Sequence, residues 1–155
     1  MSFRIRGLSP APFLPLYGLS ENALAAQGAR RYIVDKSPGF PDRIELRDGE
    51  PGEAVLLLNF RHQPAATPYQ ASHAIFVREG ALQAAEFENA VPEVLRRRVI
   101  SLRAFGADHY MVDADLASGD EIADLIQRYL SDPAVSYLQA HYARRGCYAA
   151  RVERT

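Results

Sequence analysis

Two histidines, His62 and His73, stand near the two ends of a polar stretch, NFRHQPAATPYQASH (59–73), with Asn59, Arg61, Gln63, Tyr69 and Ser72 between or beside them. Imidazole ordinarily titrates near neutral pH, so either ring could move protons there. Arg61 carries the planar fork that grips a carboxylate or phosphate. Pro64 and Pro68 stiffen a connection of about ten residues, longer than most hairpins need. Long, stiff loops on a rigid sheet are common places for binding. The plainer alternative is that these polar groups satisfy loop backbone and cap strand ends.

Cys147 is the only cysteine, so no intramolecular disulfide can form. Reactivity needs a neighbouring cation or base to hold the thiolate. Arg144 and Arg145 are close in sequence, and His141 is expected on the facing arm of the same hairpin. A half-buried, inert thiol is the plainer reading. The ligand-binding candidates are therefore Asn59, Arg61, His62, Tyr69, His73 and Cys147.

Other chemistries find little support. His62, His73, His109 and His141 show no one-turn helical pairing, and Cys-x-x-Cys is absent, so no metal site is expected. DADLASGDE (113–121) places Asp113 and Asp115 like a calcium loop but has Ala117 and Ser118 where an EF-hand needs a ligand and glycine. Neither a Walker pattern nor G-x-G-x-x-G occurs, so no nucleotide cofactor is expected. Arg96-Arg97-Arg98 reads as a solvated edge or helix end. The net charge of −1 supplies no basic field for nucleic acid.

The elements that must position these residues alternate between strand and turn signals. FRIRGL (3–8), RRYIVD (30–35), RIELRD (43–48), AVLLLNF (54–60) and HAIFVRE (73–79) read as strands. RIELRD and AVLLLNF are expected to pair as a hairpin through DGEPG (48–52). Ser20 to Gln27 reads as a short helix capped by Ser20 and closed by Gly28. A helical turn is expected over Pro92–Arg97, then a hairpin of RVISLRAF (98–105) and HYMVDAD (109–115).

The clearest helix follows. Ile122, Leu125, Ile126, Tyr129 and Leu130 form one apolar stripe, and Ser118 with Glu121 has the capping-box spacing. The tail SYLQAHYARRGCYAARVER (136–154) predicts a last hairpin about Arg144-Arg145-Gly146. Many hairpins and few helices predict an α+β fold, a largely antiparallel sheet with helices packed on one face.

The chain of 155 residues suits one globular domain, spanning 1–155. Prolines 10, 12 and 15 break any signal-peptide core, and no run of about 18 apolar residues exists, so a cytoplasmic protein without a membrane span is expected. Lys36 is the only lysine among 18 basic residues, a bias that GC-rich coding explains better than function does.

GFPDRIEL, GEAVLLLNF, HQPAATPY, HAIFVRE and GCYAARVER together resemble a bacterial family, domain of unknown function 1203, over nearly the whole chain. The resemblance implies a small bacterial protein and carries no assigned activity. It also implies Gly-Phe-Pro-Cys where this chain has Gly39-Phe40-Pro41-Asp42, so no thiol role transfers to that position. The leading expectation is a site for a small anionic metabolite at the 59–73 loop, beside the C-terminal hairpin. An interaction module that pairs sheet edges in a homodimer is the alternative. A small enzyme using a His/Cys site comes third.

Overall fold

The computed structural model describes residues 1–155. It is α+β and mostly sheet. The strands are β1 (Phe3–Arg6), β2 (Arg30–Ile33), β3 (Ala54–Gln63), β4 (Ala71–Arg78), β5 (Glu86–Glu88), β6 (Val99–Phe105), β7 (Met111–Ser118), β8 (Tyr137–Tyr142) and β9 (Tyr148–Arg154). The helices are α1 (Glu21–Ala26), α2 (Glu93–Arg96) and α3 (Glu121–Leu130). No helix is long and apolar enough to cross a membrane.

The strands divide between two antiparallel sheets. One has the order β5-β1-β9-β8-β6-β7, and the other has the order β2-β3-β4. The apolar stripe of α3 does what its spacing predicts: Ile122, Leu125, Ile126, Tyr129 and Leu130 are all buried. They join Ile100, Leu102, Leu138, Ala140 and Val152 from the large sheet in the main core. A second core, with Leu24, Leu56, Leu58, Ile75 and Val77, lies under α1 and the small sheet.

Strand β8 is buried at all six positions. Its side chains alternate between faces, so Leu138, Ala140 and Tyr142 enter the main core. Tyr137, Gln139 and His141 then point to the opposite face. That second face meets the far end of β3, where Phe60 packs on Tyr148 with ring centroids 5.6 Å apart.

Three expectations need correction. Residues 43–48 do not form a strand, and β3 pairs with β2 and β4 instead. The segment threads between the sheets, and its backbone bonds scatter accordingly. Leu8 donates to Arg43 O, Arg43 to Phe76 O, and Ala85 to Ile44 O. Leu46 adopts the left-handed region at φ 53, which breaks any extended run. Gly7 is required where β1 passes this segment, because Ile44 O occupies the place a Cβ would take.

Ser118 does not cap α3. It ends β7 opposite Val99, and Asp120 holds the N-cap position without a side-chain bond to the helix backbone. Ser20 does cap α1, accepting from Ala23 N at 3.1 Å. The arginine run is less solvated than its composition suggests. Arg98 and Arg97 both donate to Asp48, whose side chain is 4% exposed.

Candidate functional site

The pairing of β3 with β4 slips between Phe60 and Gln63. Such an irregularity bends a strand and re-aims its side chains. Here it carries His62 onto the large sheet, where the ring stacks on Tyr148 (5.7 Å, 10° between planes) and meets His141 edge-on at 4.8 Å. Gln139 of β8 locks the contact. Its amide nitrogen donates to His62 O at 3.0 Å, and its Oε1 lies 3.2 Å from His62 Nδ1 and 3.0 Å from His141 Nε2.

Arg103, Gln139 and Arg151 are cross-strand partners on β6, β8 and β9, so two guanidinium groups flank Gln139 on one face. Arg103 makes a single side-chain bond, to Ser101 Oγ, and has no carboxylate partner. Burial lowers its pKa, as expected for a cation taken from water without compensation. Arg151 lies 3.9 Å over the Tyr137 ring and bonds Glu153 through Nε, leaving its two terminal amino groups unengaged.

A cleft of about 280 Å³ opens above this row, lined by His62, Gln63, Pro64, Ala65, His109, Tyr137, Gln139 and Arg151. No carboxylate is among them. His109 sits at φ 66, a strained backbone for a histidine, in the turn between β6 and β7. Its Nδ1 lies 2.8 Å from Tyr137 Oη, and Gln63 Nε2 donates to the same oxygen at 2.8 Å.

Burial holds both inner rings neutral. His62 is lowered chiefly by desolvation, partly offset by its bond to Gln139. His141, fully buried, is pushed down to about 3 by desolvation first and the Arg103 charge second. His141 is also under tension, because Nδ1 faces Gly146 O at 3.0 Å and Nε2 faces Gln139 Oε1. A neutral imidazole has one N–H, so it satisfies only one of these acceptors.

The sequence candidates separate in space. His62 lines the cleft; Asn59, Arg61, Tyr69, His73 and Cys147 do not. Asn59 and Arg61 are exposed on β3, His73 is half-buried on β4, and Tyr69 packs edge-on against Phe105 and Tyr110. The connection between β3 and β4 spans only residues 64–70, because β3 runs on to Gln63.

Cys147 joins the main core instead. Its expected neighbours Arg144 and Arg145 are exposed, and the cation beside it is Arg43, whose Nη2 reaches Sγ at 3.1 Å. Arg43 is 1% exposed, and its other bonds go to Tyr148 O and Pro41 O. The Arg43 and Arg98 guanidinium groups lie over the Tyr142 ring at 5.0 and 5.2 Å. Asp42 is buried in a structural role, accepting from Arg78 N at 2.7 Å and Glu45 N at 2.5 Å.

A second cleft, about 320 Å³, lies over Arg47, Asp48, Glu50, Glu93 and Arg97. Its arginines are already engaged, Arg47 by Glu53 and Arg97 by Asp48, so it offers a ligand less free charge. No three His, Cys, Asp or Glu side chains converge as a metal ion would need.

A family model, Protein of unknown function (DUF1203), matches residues 39–154. The chain belongs to this family. The DUF1203 match takes in every residue lining the cleft, from His62 to Arg151. No curated protein and no solved structure matches the chain. Within this DUF1203 chain, the sequence picked out His62 by its chemistry but missed His109, Tyr137, Gln139 and Arg151. For Tyr137 and Gln139 the sequence signal was the alternation in the last hairpin, which puts Tyr137, Gln139 and His141 on one face.

Proposed function

We propose that this DUF1203 protein binds a small anionic metabolite in the cleft between the end of β3 and the β8–β9 hairpin. One observation carries the reading: Arg103 and Arg151 flank Gln139 beneath a cleft whose lining contains no carboxylate. Arg103 has no acidic partner and Arg151 meets Glu153 only through Nε, so the row retains positive charge that favours an anion. Arg151 keeps a terminal fork free for bidentate contact. The volume of about 280 Å³ matches the lower end of small-ligand sites. At roughly 30 Å³ per water it displaces about nine waters, which points to a ligand of metabolite rather than nucleotide size.

Thermal unfolding with millimolar phosphate, sulfate, acetate, succinate and malate tests this. A ligand at about 100 times its Kd adds roughly 2.7 kcal/mol. For a chain of this size that raises Tm by about 5–10 °C. The double variant Arg103→Gln/Arg151→Gln should lose the response. No shift with any anion, or the same shift in the double variant, refutes the reading.

A further inference from the structure

Hydrogen-bond accounting in the cleft specifies the ligand more closely, and it rests on the anion reading above. Gln139 donates its amide N–H to His62 O, which fixes Oε1 as the atom facing His62 Nδ1. An amide oxygen only accepts, so Nδ1 carries the hydrogen. His62 is neutral, and its Nε2 is therefore a bare lone pair, with no partner elsewhere in the protein.

At the other side, Gln63 is oriented by Ala65 N, which donates to its Oε1, so its Nε2 donates to Tyr137 Oη. Tyr137 Oη keeps its one hydrogen to give to His109 Nδ1, the tautomer the inference adopts. In that tautomer His109 presents Nε2–H as a free donor. The cleft thus offers a guanidinium fork from Arg151 and an N–H from His109, against a single basic acceptor at His62.

We infer that the cleft is built for a hydroxycarboxylate, a small anion that brings its own hydrogen-bond donor to Nε2 of His62. The carboxylate takes Arg151 and His109, and the hydroxyl donates to His62. An ammonium group would also donate, but it needs a carboxylate counter-charge, and none lines the cleft. A plain carboxylate of the same size leaves the His62 lone pair desolvated and unpaired, which a polar site penalises strongly.

Isothermal titration with malate, succinate and aspartate separates these cases. Malate should bind at least tenfold more tightly than succinate, and aspartate no better than succinate. In His62→Phe, which keeps an aromatic ring over Tyr148, the malate-to-succinate ratio should fall to near one. Should that variant fail to fold, the ¹⁵N resonance of His62 Nε2 in the unaltered protein gives the same answer, moving with malate and not with succinate. Equal binding of malate and succinate overturns the hydroxycarboxylate assignment and leaves anion binding standing. Absence of binding by every anion overturns both.

Discussion

Acidifying the protein should expose the cost of keeping His141 neutral. The ring is fully buried, and desolvation with the Arg103 charge pushes its pKa to about 3 from an ordinary value near 6.5. The depressed value sets the sign. Above about pH 6.5 neither state binds the proton, and the folded state loses nothing. Below it the unfolded ring protonates while the folded ring does not, so stability falls with pH until the folded ring titrates near 3. At about 1.36 kcal/mol per pH unit, this site alone removes roughly 2.7 kcal/mol between about pH 7.5 and pH 4.5. The two carbonyl acceptors facing its nitrogens favour the protonated ring, so the figure is an upper one. Urea unfolding of the protein and of His141→Phe at several pH values is the assay. Carboxylates titrate in both proteins, and the difference between the two pH profiles isolates the ring. The unaltered protein should lose up to about 2.7 kcal/mol more than the variant over that range. Parallel pH profiles would refute the reasoning.

Two further predictions follow from packing. Ser20→Ala should cost about 1 kcal/mol because it removes the cap on α1, whereas Ser118→Ala should change stability by less than about 0.5 kcal/mol; chemical denaturation of both variants decides this. Asp48→Asn should destabilise by roughly 3 kcal/mol, since it strips the buried partner from Arg97 and Arg98, and a loss under about 1 kcal/mol would show that the pair contributes little.

The parts of the fold legible in the sequence were those set by local patterning. The α3 stripe, the β6–β7 and β8–β9 hairpins and the Ser20 cap all depend on residues within a few positions of one another. Residues 43–48 failed because alternation of charged and apolar residues does not say where the charges go. Arg43 is satisfied inside the protein by Tyr148 O and Cys147 Sγ, more than a hundred positions away. The capping box failed for a similar reason: Ser118 and Glu121 have the spacing, but pairing with Val99 retains Ser118 in β7. At the cleft, His62 was recognisable by type. Gln139 and Arg151 become part of a site only because β3 crosses the large sheet, a meeting that no short window of sequence encodes.

Strand β8 carries core and cleft residues by turns, and this governs how the protein can diversify. A single-residue insertion there would swing Leu138 and Ala140 into the cleft and Gln139 and His141 into the main core. Length variation is closed to this strand, and the floor of the cleft is held as firmly as the core itself. The walls are under no such restraint, since residues 64–70 and the turn containing His109 are surface connections. New ligand preferences within the fold would therefore arise from its rim, with the arginine–glutamine–arginine row retained as a constant anchor.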